Sequence, residues 1–349
     1  MQESPIPKVF FNASPWQETK SPFWPASVFI LRRNVSPYFF PDNLKERDAL
    51  SVKKLLEKAL TPFLDKPRFL SKDTITPLEK EFLFEHFLLN EGYERFDEGR
   101  ALIVDDTGSL LGLINVEDHL HIHLYTTNRD LKAVYTKLAA IEKELSKTIP
   151  FSFSERFGYL TSDPRYAGTG LTLQAFLHLP LLIQLKHFSE LKDKLTPDVV
   201  VRGLGKENEY VADLALLENR ATLGVSEENI IESVQKNAAF LEEEEKKIQK
   251  MLSEEEKTFL KDKIGRSFGL LSHARSLSIQ EALTSFSFIE IGKRLNWVQG
   301  EFSFHEFFFS LRRAHLVSEP KTPIEINEER AKFSTALLSK LRLSYGESE

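Results

Sequence analysis

Residues 100–126 constrain the fold more than any other part of this chain. RALIVDD and LLGLINVED carry apolar runs of strand length, HLHIHLYTT alternates polar and apolar residues with a period of two, and the turn sequence Asp106-Thr107-Gly108-Ser109 separates the first two runs. Runs this short, joined by so little chain, pair with their neighbours in opposite directions, which predicts an antiparallel meander. Helical periodicity flanks it: 42–64 (DNLKERDALSVKKLLEKALTPFL), 76–92 (TPLEKEFLFEHFLLNEG, opening on Thr76-Pro77 and stopping at Gly92) and 129–149 (RDLKAVYTKLAAIEKELSKTI).

Further strand-like stretches follow at FGYLTS (157–162), DVVVRGLG (198–205) and ALLENRATLG (215–224), with a helix expected from Leu171. Helices set between strands of a mainly antiparallel sheet define an α+β class. The first forty residues, rich in Pro and aromatics, are expected to form an irregular arm. After about residue 226 the pattern is helical throughout. At 349 residues the chain exceeds what one core ordinarily organises, so two units are expected: 1–225 (arm, small helical lobe and sheet) and 226–349, a helical domain suited to dimerisation. The 28 Phe supply core and interface filling.

A net charge of −6 leaves no basic footprint for nucleic acid or an anionic membrane surface, and no apolar run is long enough to cross a bilayer. With no cysteine there is no disulfide framework, thiolate metal site or thiol nucleophile, and a cytoplasmic location is the simplest expectation. The segment INVEDHLHIHL (114–124) sets His119, His121 and His123 on one strand face. Residues i and i+4 of a strand lie roughly 13 Å apart, so the three cannot share one ion and no metal site is expected. RYAGTG (165–170) lacks the Gly-Lys-Ser/Thr of a phosphate-cradling loop, so its glycines read as a tight turn.

Several ordered fragments nonetheless resemble the guanidino (phosphagen) kinases, in particular the bacterial protein-arginine kinases of the McsB type. Asn115-Val116-Glu117-Asp118-His119 resembles the family's N-E-E-D-H, and GYLTSDPRYAGTG its G-Y-L-T-x-C-P-T-N-x-G-T-G, with Asp163 at the reactive cysteine. His178-Leu179-Pro180, Arg202-Gly203-Leu204-Gly205-Lys206-Glu207 and Asn219 with Leu223-Gly224 follow in the family's order. The resemblance implies a guanidino-kinase catalytic fold and transfer of the γ-phosphoryl of ATP, with Mg²⁺, to a guanidinium nitrogen. Such transfer is mostly positioning and charge stabilisation, which explains a site built from arginines and carboxylates.

The same resemblance assigns roles residue by residue. Glu117 and Glu207 would be the carboxylate pair that orients and deprotonates the guanidinium, with Asp163 beside it. Arg202 and His86 would contact nucleotide, along with the positions Ser27, His121 and Thr172. Asn115 and His119 belong to the substrate-side motif, and Arg330 closes Ile326-Asn327-Glu328-Glu329-Arg330-Ala331, which resembles a C-terminal phosphoarginine-recognition motif. Against that pattern the family's arginines are replaced: the first-strand pair falls on Val28 and Ile30, the next on His121 and Thr172, and Arg202 alone remains of five. Losing one oriented donor typically costs ~3 kcal/mol at the transition state, so four losses remove on the order of four decades of rate even with strong non-additivity. Arg32, Arg165 and Lys206 are the replacements within reach. The resulting expectation is a pseudokinase acting as a binding or regulatory subunit; an active protein-arginine kinase with substituted phosphate ligands and a scaffold binding neither ATP nor arginine are the alternatives. A homodimer, a zinc-binding activator of the McsA type and Clp-class unfoldases are the partners the resemblance implies.

Overall fold

The computed structural model describes residues 19, 21–87, 97–204, 209–317 and 321–345. Its centre is an eight-stranded sheet in the order β2-β3-β4-β5-β1-β8-β10-β9, every neighbouring pair antiparallel. The strands are β1 (Ala26–Arg33), β2 (Arg68–Leu70), β3 (Ala101–Val104), β4 (Leu110–Ile114), β5 (Leu120–Thr126), β8 (Leu171–His178), β9 (Val199–Gly203) and β10 (Leu214–Asn219). A small hairpin, β6 (Phe153–Ser154) and β7 (Gly158–Tyr159), stands apart from it.

The meander is where its sequence pattern put it, at β3, β4 and β5. Two expectations fail nearby. The arm contains β1, a central strand whose residues are all buried. The helix expected from Leu171 is strand β8: Leu171, Leu173, Ala175 and Leu177 pack on one face while Phe176 packs on the other. A strand buried on both faces loses its polar alternation and is easily read as a helix.

Helices α1 (Glu46–Leu60), α3 (Leu131–Ser146) and α6 (Glu227–Met251) cover the back of the sheet, where Val52, Leu56, Val134, Leu138, Ile230 and Val234 pack with Phe29, Leu31, Leu173 and Leu217. The Asp130 side chain caps α3 by accepting from the Ala133 amide. Helix α6 packs on the sheet through Ile230, Ile231, Val234, Ala238 and Leu241. Short helices α4 (Pro180–Gln184) and α5 (Phe188–Lys192) join β8 to β9.

The front face meets α2 (Pro77–Glu85), closed at its start by a Thr76–Glu79 capping box, and the C-terminal helices α7 (Glu254–His273), α8 (Ile279–Arg294), α9 (Phe304–Ser310), α10 (Arg313–Leu316) and α11 (Pro323–Leu338). Helix α2 ends at Glu85, before the expected Gly92, and 88–96 lies outside the described residues. The C-terminal region also holds a two-stranded ladder of β11 (Val298–Gln299) and β12 (Arg342–Leu343). Much of the phenylalanine serves here: Phe286, Phe302 and Phe307 stack on one another, and Phe87 meets Phe176 and Phe308 where the two regions join. A buried polar chain fastens that junction. Ser287 of α8 donates to Asp213 at 2.5 Å, His178 lies 3.1 Å from the Ser287 hydroxyl, and Arg294 donates to His178 Nδ1 at 2.8 Å.

Candidate active site

Strand register decides what the front of the sheet presents. Ile30 of β1 lies opposite His123 of β5 on one side and Thr172 of β8 on the other, and Arg32 lies opposite His121. Because side chains alternate, Val28, Ile30 and Arg32 share this face with His121, His123, Thr172, Gln174 and Phe176. Of these, Ile30, Arg32, His123, Thr172, Gln174 and Phe176 floor a cleft of about 720 Å³ that also draws in Arg202 and Glu218 from β9 and β10, Phe84 of α2 and Phe87 just after it, Leu283 of α8, and Arg312.

The positions where the resemblance expects arginines hold side chains engaged elsewhere. Val28 is 1% exposed and Ile30 6%, both within the apolar core. Thr172 accepts a hydrogen bond of 2.7 Å from Arg32 Nη1. His121 Nε2 lies 2.9 Å from Asp118 Oδ2. Arg202 is present, but its Nε donates to Glu218 at 3.3 Å, and Glu218 also accepts from Gln174 at 2.7 Å.

Arg32 does point into the cleft. Its guanidinium stacks 3.7 Å from the centre of the Tyr166 ring, and its Nε has no hydrogen-bond partner among the described residues. Burial lowers its pKa, against the attraction of Tyr166, Asp118, Glu117 and Glu218, which favours the cation. His123, 4% exposed, has neither ring nitrogen partnered among the described residues, and burial, with His121 and Arg32 nearby, holds it neutral by pushing its pKa well down.

Beside this floor, one carboxylate organises the two motif loops. Asp118 Oδ1 accepts from Asn34 Nδ2 and from the Ser162 amide, each at 2.6 Å, while Oδ2 meets His121. Burial opposes ionisation of Asp118, but the bonds from His121, Ser162 and Asn34 outweigh it and lower its pKa. The contact to Ser162 fixes the approach of the next residue, Asp163, whose backbone carbonyl accepts from Thr161. The Asp163 carboxylate is gripped by the Arg165 guanidinium, Nε at 2.9 and 3.1 Å and Nη2 at 2.5 Å, and that bond is the main cause of its lowered pKa. Glu117 is exposed and contributes to the field on both Arg32 and Arg165. The glycines after Arg165 serve close backbone approach: a Cβ on Gly168, at φ +107°, would lie 2.3 Å from the Thr222 carbonyl oxygen.

The remaining expected site residues are placed elsewhere. Ser27 faces away from the cleft and accepts from Trp24 Nε1 at 2.9 Å. Asn115, with left-handed backbone, donates to the Ala49 and Gly99 carbonyls and ties the motif turn to α1 rather than to a substrate. His119 is fully buried and accepts from the Val35 amide. His86 is also buried, stacked 4.5 Å from Phe309, with Nδ1 donating to the Phe82 carbonyl and Nε2 3.2 Å from His315 Nε2. Arg330 is 4% exposed and donates to the Leu311 and Leu277 carbonyls and to Asn327, so its guanidinium fastens helix ends together and is no helix-surface group. Glu207 and Lys206 lie outside the described residues.

Sequence reasoning missed Arg312, His123 as a cleft residue, Tyr166 and Glu218. Strand parity could have found His123, and Glu218 shares a face with Leu216 and Leu214 on β10. No helix is long and apolar enough to cross a membrane, and no group of three or more His, Asp or Glu side chains is arranged to hold a metal ion, both among the described residues.

Comparison with known proteins agrees with this fold. Residues 51–248 match the family model for the ATP:guanido phosphotransferase C-terminal catalytic domain, and residues 257–346 that for the protein-arginine kinase McsB C-terminal domain. A protein-arginine kinase of Chlamydia pneumoniae is 34% identical over 84% of this chain and 83% of its own length. Another, from Syntrophomonas wolfei, is 30% identical over 89% of each. Among solved structures, a lombricine kinase aligns with a TM-score of 0.58 at 20% identity over 67% of this chain and 70% of its own. The duplicated taurocyamine kinase of Schistosoma mansoni aligns with 0.60 at 22% identity, over 74% of this chain and 37% of its own.

Proposed function

The chain belongs to the guanidino kinase family and, within it, to the McsB-type protein-arginine kinases, and on that premise we propose that it is a pseudokinase: a guanidinium-binding, regulatory member with little or no phosphoryl transfer. One observation carries this reading. The four positions where the family's arginines would grip phosphate hold Val28 and Ile30, packed in the core, His121, tied to Asp118, and Thr172, occupied by Arg32. Guanidinium recognition fares better, since the carboxylate of Asp163 already holds a guanidinium, that of Arg165, with Glu117 close enough to add to the field. Glu117, Glu207 and Asp163 are therefore the residues proposed to receive an arginine side chain.

ATP, when bound, would supply the phosphoryl group and bring Mg²⁺ on its phosphates. The chain's own contribution to holding it would come from Arg202 and Arg32. Incubation with ATP, Mg²⁺ and an arginine-rich protein is expected to give no phosphoarginine above background, while titration with free arginine gives saturable binding that Asp163→Ala weakens. Transfer that Glu117→Ala abolishes would refute the pseudokinase reading. The second reading, an active protein-arginine kinase, is favoured by the cleft-facing Arg32; it requires a nucleotide-dependent rise in thermal midpoint at millimolar ATP.

By family, an activator of the McsA type and Clp-class unfoldases are the proposed partners. Homodimerisation through the C-terminal helices is supported by exposed Phe259 and Leu270 on α7 and Ile324 on α11. Sedimentation of the full chain tests it.

A further inference from the structure

The cleft gathers guanidinium groups from three distant segments, and two of them stand where the family motifs place none. Arg32 comes from β1, Arg202 from β9, and Arg312 from the link between α9 and α10 in the C-terminal region. Arg202 is neutralised by Glu218. Arg32 and Arg312 are held differently. Arg32 rests on the Tyr166 ring, and Arg312 lies 4.4 Å from the centre of Phe308 and 5.6 Å from that of Phe87. The Nε atom of each is buried without a hydrogen-bond partner among the described residues. So are both ring nitrogens of His123, which lines the same cleft. Glu85, whose charge acts on Arg312, accepts through Oε2 from the Ala314 amide at 3.1 Å.

Buried donors left unpaired cost free energy, and native proteins keep them chiefly where a ligand, ion or water completes them. Two cations with idle donors call for an oxyanion, and the apolar walls of the same cleft, Phe87, Phe176 and Leu283, call for a flat apolar body. We propose that Arg32, Arg312 and His123 form an oxyanion site built across the junction of the sheet and the C-terminal helices, which binds a phosphate or carboxylate carried on an aromatic body. The site rests on the reading that the family's phosphate-gripping positions have been given up. It differs from them in drawing a ligand contact from the C-terminal region, so its occupant bridges the two halves of the chain.

Isothermal titration of the full chain with AMP, ATP with Mg²⁺, phenyl phosphate and inorganic phosphate tests the site. AMP or phenyl phosphate is expected to bind at least tenfold tighter than inorganic phosphate, a preference for AMP marking a nucleotide and equal binding marking a general aryl anion. Arg32→Ala and Arg312→Ala should each weaken that binding tenfold or more. The Lys variants, which keep the charge and lose the fork, should lie between, and protect the result if an Ala variant fails to fold. Arg266→Ala, on the exposed side of α7, should change nothing. Failure of every probe to bind at millimolar concentration, or binding that Arg32→Lys and Arg312→Lys leave untouched, overturns the site. These outcomes are separate from the transfer assay: a chain that phosphorylates arginine refutes the pseudokinase reading whether or not these two arginines bind the anion.

Discussion

Replacing Asp118 tests whether one buried carboxylate sets the geometry of both motif loops. Its two oxygens receive three bonds, from Asn34, Ser162 and His121, and its side chain is 2% exposed. Hydrogen bonds to a charged group contribute ~1.5–3 kcal/mol each, and their sum overstates the loss because the neighbours relax. Asn34 Nδ2 keeps a second acceptor, the Leu160 carbonyl at 3.1 Å, whereas the Ser162 amide and the His121 imidazole lose these partners. Asp118→Ala is therefore expected to destabilise the chain by about 3–5 kcal/mol, the range for breaking a buried charged pair. Asp118→Asn keeps an oxygen for Asn34 and Ser162 and disturbs the bond to His121, so about 1–2 kcal/mol is expected. Urea unfolding followed by tryptophan fluorescence measures both, and arginine titration reports whether the Asp163 loop has moved. An Ala variant within about 1 kcal/mol of the parent, or Ala and Asn variants of equal cost, would show that the three bonds do not act through this carboxylate.

Acid should unfold the chain steeply below about pH 6. Burial depresses six histidines, His119 and His315 to about 4, His305 to about 3, and His86, His123 and His178 well below the usual range, so each adds stability above pH 6.5 that is lost as pH falls. Burial raises Glu85 and Glu245 to about 7 and Asp213 to about 6, and their contribution runs the other way, present in acid and lost as pH rises. The imidazoles outnumber the carboxylates, and each net proton taken up on unfolding is worth ~1.4 kcal/mol per pH unit; a urea midpoint flat between pH 5 and 6.5 would contradict this, and His315→Gln should make the slope shallower. Arg330→Met is expected to cost about 2–4 kcal/mol by orphaning the Leu311 and Leu277 carbonyls, read as a lower thermal midpoint, with Lys recovering part. Restoring a family arginine by Val28→Arg should cost about 3 kcal/mol or more and give no gain in ATP binding, because Val28 is 1% exposed in the core; a variant that folds normally and binds ATP tighter would overturn that packing argument.

What the sequence revealed depends on how each element meets water and its neighbours. The meander was legible because β3 and β4 are short apolar runs parted by a turn sequence and β5 alternates at a period of two, and α1, α2 and α3 because their apolar stripes repeat at helical spacing. Strand β8 was not, since its alternation of Leu171 and Leu173 with Thr172 and Gln174 is cut off at Ala175-Phe176-Leu177 and runs straight on into the apolar LPLLIQL. The motif turn at 115–119 was found, but the division of labour inside it was not: Asn115 and His119 bind backbone, and Asp118, given no role from sequence, holds the loops. Arg312 was out of reach, because only the packing of the C-terminal helices brings it to the cleft of strands β1, β5, β8, β9 and β10, all of them far earlier in the chain.

Strand β1 has a consequence for the order of assembly. Leu31 lies opposite Ile122 on one side and Leu171 on the other, so β1, which precedes both partners in the chain, has to wait for each of them before it can be enclosed. Until it docks, the sheet exists as two fragments, β2 to β5 and β8 with β10 and β9, each presenting an open edge. Pairings this distant in sequence close slowly, which makes the emerging chain a natural client for chaperones during synthesis. It also means that a chain lacking residues 1–33 should be competent to recapture that segment when it is offered as a separate peptide, restoring one continuous sheet from two pieces.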